Sequence, residues 1–199
     1  PKALGRILSR INFGSTLNIA ASLANPVLPS IGVRGVYATE MIQPVARVMK
    51  QIGYQSAVVL HGTMEGSKKG MDEASVCGIT HGVRIFENDM AVFEIDSKKL
   101  GLWARNCHDL VPEGDVAIES KRFVALIRNR ENGARKNAVL LNAGLIFWIA
   151  GKAADLVDGI EQATVSLESG AAFNTLEKWV RAQNTDPEKG LERLYRLVR

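Results

Sequence analysis

The run from Ser56 to His61, Ser-Ala-Val-Val-Leu-His, constrains the fold more than any other stretch of the chain. Its centre is continuously apolar rather than alternating, the pattern of a strand buried on both faces, as in a parallel sheet covered by helices. Parallel strands need a crossover, and the residues upstream supply one. Ser30 to Tyr37 reads as a short strand; Thr39 caps a helix that carries Pro44 in its early turns and runs to about Ile52; Gly53 stops it. Strand, helix and strand in that order make a βαβ unit.

The remaining segments extend this core. Lys2 to Ala24 reads as two short helical pieces, broken near Asn12-Phe13-Gly14, with Ser15 capping the second. Asn25-Pro26 and Pro29 end that helix, because proline cannot continue it. Gly62 to Ala74 is a polar loop punctuated by Gly62, Gly66 and Gly70. Val76 to Phe86 and Met90 to Ile95 form a hairpin around Glu87-Asn88-Asp89, and Leu100 to Pro112 is loop. From Asp115 onward the pattern is helical, with breaks near Gly133, Gly151, Gly170 and Asn184 to Pro187. The helix from about Ala134 to Ala150 is apolar nearly all round and is expected at the centre of the core. The expected fold is one α/β domain over residues 1–199: a mixed, mainly parallel sheet flanked by helices and ending in a helical cluster.

Composition narrows the function. The 199 residues include 46% hydrophobic and 23% charged residues, an ordinary globular balance that argues against disorder. Lys and Arg number 25 against 21 Asp and Glu, so the net charge of +4 permits attraction to phosphates without announcing nucleic-acid binding. Two cysteines, Cys77 and Cys107, make neither a disulfide framework nor a zinc site, which favours a reduced, cytoplasmic setting. The longest apolar run, Ala138 to Ala150, is interrupted by Asn142 and falls short of the ~20 residues of a membrane span. The opening residues lack a signal-peptide pattern and an initiator Met, as if the chain began inside a larger protein.

The stretch most suited to chemistry is Gly70-Met71-Asp72-Glu73-Ala74-Ser75. It follows a buried strand, where α/β folds place ligands outside the carboxyl ends of their strands. Asp72 and Glu73 offer hard oxygens suited to Mg²⁺, which binds through one or two carboxylates plus waters and substrate phosphates. Taken alone, such a pair is more often a solvated surface feature. His61 ends the strand at the same edge, either lining the pocket or serving as a hydrogen-bonded structural histidine. Lys68 and Lys69 could face a phosphate, and Arg6 and Arg10 could hold an anion from one helix face. Each of these pairs is also ordinary exposed charge. No Ser-His-Asp or nucleophile-elbow pattern is present, so no covalent catalytic residue is assigned.

Several segments in order resemble the family of anthranilate phosphoribosyltransferases, within the wider nucleoside phosphorylases and phosphoribosyltransferases. They are Asn25-Pro26, Gly35-Val36-Tyr37 with the Pro44 helix, Val58 to Gly62, Gly70-Met71-Asp72-Glu73, Ile95-Asp96 with Leu100-Gly101-Leu102, and Asn137 to Ala143 followed by Ala150-Gly151. The resemblance implies transfer of the phosphoribosyl group of phosphoribosyl pyrophosphate (PRPP) to the amine of anthranilate, releasing pyrophosphate, in tryptophan biosynthesis. It also implies Asp72 and Glu73 as Mg²⁺ ligands, Arg10 as a substrate-binding residue, and a homodimer; His61, by its place at the same edge, is taken as substrate-binding beside them. Arg10 resembles the arginine that grips the anthranilate carboxylate, a role its bidentate fork suits.

Departures from the family pattern fall on the acceptor side. Ala21-Ser22 stands where the family shows Gly-Pro, and Ser15-Thr16 where it shows Arg-Thr. The family's N-terminal helical domain, its glycine-rich diphosphate loop and its Lys-His-Gly-Asn-Arg segment have no counterpart. A chain with these segments alone is expected to hold part of an active site and not to turn over by itself. The helix past Pro187 extends beyond the usual family terminus. These departures leave two alternatives open: a member without acceptor chemistry that binds nucleic acid or nucleotides, and a transferase or phosphorylase with a different acceptor.

Overall fold

A computed structural model describes residues 20–21, 23–87 and 89–198. The N-terminal helical pieces, with Ser15, Arg6 and Arg10, lie outside these residues. Ala20, Ala21 and Leu23 are helical, and the helix ends at Asn25-Pro26 as expected, where the Asn25 side chain accepts the Val27 N–H at 3.0 Å.

Among the described residues five strands form one sheet: β1 (Ile31–Gly35), β2 (Ser56–Thr63), β3 (Gly70–Met71), β4 (Ile79–Phe86) and β5 (Asp89–Asp96). Their order is β1-β2-β4-β5, with β3 beside β2. β1 and β2 run parallel, joined by helix α1 (Ile42–Ile52), so the βαβ unit is present. The pairs β2–β3, β2–β4 and β4–β5 are antiparallel. The sheet is mixed as expected, but among the described strands parallel pairing is confined to β1–β2. The reason lies in the connections: β4 follows β2 by a loop and β5 follows β4 by a hairpin, and neither carries a crossover helix.

Local sequence explains the crossover. Ile42, Val45, Ala46 and Met49 fall at helical spacing and are the buried residues of α1. Pro44 sits in the first turn, where its missing N–H costs nothing. A 3-10 segment, Thr39–Met41, precedes α1, and Thr39 does not cap that segment; Ala38 occupies the capping position without a side-chain bond. Gly53, at φ 113°, ends α1 with its N–H shared between the Met49 and Lys50 carbonyls.

The sheet has a core on each face. On one, Ala57, Val59, Val83 and Ile85 pack with Val45 and Met49 of α1. On the other, Val58, Leu60 and Ile95 pack with Leu140, Leu141 and Leu145 of α3 (Ala134–Ile149). Helix α3 is central, as its composition predicts, though not buried all round: Ile146 is 57% exposed. It crosses α4 (Leu156–Glu168) at Gly144, where an added Cβ would lie 2.7 Å from Ile160. The chain ends in a cluster of α2 (Val116–Ile127), α5 (Ala171–Gln183) and α6 (Pro187–Val198), built around Val124, Leu191 and Leu194.

Candidate metal turn at the ends of the parallel strands

β2 runs past its parallel partner. Pairing with β1 stops at Gly35 opposite Leu60, whereas β2 continues to Thr63. β4 holds the other flank as far as Gly62, so β3 takes the flank that β1 leaves, pairing Met71 with Gly62 and Gly70 with Thr63. The chain then turns through Asp72 and Glu73 across the carboxyl ends of both parallel strands. Two glycines permit that crossing. A Cβ on Gly35 would collide with the Asp72 backbone carbonyl, and one on Gly62 would lie 2.5 Å from the Glu73 carbonyl oxygen.

Behind the turn the chain is buried and bonded. Ala74, Ser75, Val76 and Cys77 are fully buried. The Ser75 N–H donates to Thr80 Oγ1 at 2.8 Å, and the Ser75 hydroxyl donates to the Thr63 carbonyl at 2.6 Å while accepting the Cys77 N–H at 3.0 Å. From α3, Asn142 Oδ1 accepts the Ala74 N–H at 2.9 Å, and Nδ2 donates to the Ala74 carbonyl at 3.1 Å. These bonds make Val76 to Gly78 a buried turn, so β4 begins at Ile79 rather than at Val76. Burial there had the look of a strand; the side-chain bonds decide otherwise.

Asp72 and Glu73 themselves are exposed. Burial of its surroundings, and secondly the charge of Asp72, push the Glu73 carboxyl above its ordinary range. No group of three or more His, Cys, Asp or Glu suited to a metal occurs among the described residues. A site of two adjacent carboxylates fits Mg²⁺, which keeps waters and shares phosphate oxygens, and does not fit a closed zinc cage. Lys68 and Lys69 are exposed on the preceding turn.

His61 is 6% exposed. Its Nδ1 donates to the Val36 carbonyl at 2.8 Å, just beyond β1, and its Nε2 side abuts Gly70, leaving no room for a Cβ there. The ring therefore ties the end of β1 to the start of the Asp72–Glu73 turn. On the next strand, His81 sits opposite His61 and pairs with Glu94 at 2.8 Å. Cys77 and Cys107 are free thiols. Gly35 and Asn142 both lie in segments that carry the family resemblance, but the resemblance assigns neither the clearance nor the clamp to them. The signal that could have revealed the clamp is an asparagine interrupting an apolar helix, since such an amide needs partners.

Residues 4–173 match the a/b domain of a glycosyl transferase family. The chain belongs to that family. It is 32% identical over 181 residues to the anthranilate phosphoribosyltransferase of Brucella canis, an alignment covering 90% of this chain and 51% of that protein. Its structure resembles the anthranilate phosphoribosyltransferase of Thermus thermophilus, with 26% identity, a TM-score of 0.73, and coverage of 87% of this chain and 49% of that one. It also shares its fold with the Saccharomyces cerevisiae enzyme in complex with PRPP and Mg, at 20% identity and a TM-score of 0.69, over 87% and 48% of the two chains. The chain thus spans about half the length of these relatives. The expected α/β class and family hold. Among the described residues no helix is long and apolar enough to cross a membrane.

Proposed function

We propose that these residues form the metal-binding half of a site that transfers the phosphoribosyl group of PRPP to anthranilate, with release of pyrophosphate. One observation carries this reading: two adjacent carboxylates, exposed on a turn locked against the carboxyl ends of the only parallel strand pair among the described residues. Asp72 and Glu73 would hold Mg²⁺, and the metal would supply positive charge for the departing pyrophosphate. Gly35 and Gly62 let the turn approach the strand ends, and His61 supports its first residue, Gly70. In this reading His61 serves the substrate site from behind, while Arg10 grips the acceptor carboxylate with its guanidinium fork. The reading carries with it a cytoplasmic homodimer of tryptophan biosynthesis.

The test uses the polypeptide as the cell makes it, supplied with PRPP, Mg²⁺ and anthranilate. Replacing Asp72 and Glu73 together by Ala should abolish pyrophosphate release while the circular-dichroism spectrum is kept; undiminished release would end the metal assignment. Arg10→Ala should raise the KM for anthranilate far more than that for PRPP. A different ring acceptor is the second reading, motivated by Ala21-Ser22 in place of Gly-Pro. It predicts turnover with another aromatic amine and none with anthranilate.

A further inference from the structure

We propose that Asn142 is a positioning residue for the Asp72–Glu73 turn, an inference that rests on the metal reading of that turn. Asn142 lies mid-way along α3, between Leu141, fully buried, and the buried pair Gly144 and Leu145. Asparagine contributes little to a helix interior, because its amide competes with the backbone for hydrogen bonds. Here the amide is committed in full. Oδ1 accepts the Ala74 N–H at 2.9 Å, while Nδ2 donates to the Ala74 carbonyl at 3.1 Å and to the Ala138 carbonyl, one turn back, at 2.9 Å.

The two bonds to Ala74 act on two different peptide planes. The Ala74 N–H belongs to the peptide whose carbonyl is that of Glu73, and the Ala74 carbonyl belongs to the peptide that leads into Ser75. Gripping both fixes the orientation of the residue directly after the carboxylate pair. The Glu73 carbonyl is simultaneously packed against Gly62 on β2. The peptide after Glu73 is therefore held between the sheet on one side and α3 on the other. The third bond, to Ala138, anchors the amide to its own helix, so the turn inherits the rigidity of α3. The hydrogen bonds of Asn142 go to Ala74 and Ala138 and not to the carboxylates, so it acts through Ala74. Groups one step removed from a metal typically alter its affinity by 10- to 100-fold when lost.

Asn142→Leu keeps a similar volume in the core and removes all three bonds. Two readouts separate positioning from bulk stability: backbone hydrogen exchange of a peptide spanning residues 70–76, and Mg²⁺ binding by calorimetry. Exchange of that peptide should speed up on the order of tenfold while peptides from α4 and β4 exchange as in the wild type, and Mg²⁺ should bind roughly tenfold more weakly or worse. Asn142→Asp keeps an acceptor for the Ala74 N–H but turns an oxygen on the Ala74 and Ala138 carbonyls, so exchange at residues 70–76 should speed up there too. If Asn142→Leu does not fold, the Asp variant decides. Unchanged exchange at residues 70–76 in the folded variants would overturn the proposal, as would an effect spread evenly over the whole chain. The Asp72→Ala, Glu73→Ala double variant keeps the two ideas apart. Wild-type Mg²⁺ affinity there removes the metal reading, while exchange in the Asn142 variants still decides the clamp.

Discussion

In the proposed site Glu73 carries opposed demands. Its carboxylate must be ionised to hold a cation, yet burial of its surroundings and the charge of Asp72 both penalise ionisation. A carboxyl whose pKa is raised on folding adds stability at low pH that is lost as pH rises through the folded value, so at pH 7 the charge burdens the fold. Glu73→Gln should therefore unfold at a higher temperature than wild type at pH 7 in the absence of metal. Added Mg²⁺ should raise the wild-type unfolding temperature and leave the variant unmoved. A calorimetric scan with and without Mg²⁺ checks both, and a lower melting point for the metal-free variant would contradict the first. At this scale the sequence was half legible. The acidic pair declares itself by residue type and place, but the jobs of His61 and Asn142 depend on partners 25 and 68 positions away. No local pattern encodes such distances.

Among the elements, direct backbone approach recurs. The turn meets β1 and β2 at Gly35 and Gly62, and α3 meets α4 at Gly144 and Gly159. A methyl group on Gly159 would collide with the Gly144 carbonyl, which belongs to a helix and cannot step aside alone. Gly159→Ala should destabilise the protein by about 2 kcal/mol, in the range of core overpacking. The urea midpoint should fall with an unchanged slope; an unaltered midpoint would mean that the helices have slack at their crossing. Element boundaries were largely readable, because prolines and glycines punctuate the chain and apolar spacing separates strand from helix. Strand direction was less so. An apolar run reports burial on two faces, and β4, itself largely buried, runs antiparallel to β2.

Across the molecule, one ionic network ties the helical cluster to the sheet-covering helix. Arg135 at the start of α3 donates to Glu119 of α2 at 2.6 Å and to the Asp109 and Val111 carbonyls at 2.8 and 3.0 Å. Arg122 adds bonds to Glu119 and Glu113. The Arg135 hydrogen bond, then the Glu113 N–H, hold the Glu119 carboxyl down at about 2, against an ordinary 4.5. A depressed carboxyl contributes stability at pH above its unfolded value and loses it as pH falls through the folded one. The contribution of Glu119 should thus be flat above pH 4.5 and decline between about 4.5 and 2. Glu119→Gln should flatten that part of the urea-midpoint profile. A variant profile parallel to wild type below pH 4.5 would deny the network this role.

The clamp on Ala74 also sets an order of assembly. The side chain that completes the turn is 68 residues downstream of it. A nascent chain that has emerged only through β5 can pair the described strands, yet its Asp72–Glu73 turn lacks the hold of α3 on Ala74. The clamp closes only when α3 docks on the sheet, and that docking must close a long loop after the strands have met. Synthesis thus delivers the acidic pair early and the fixed orientation of the peptide that follows it late.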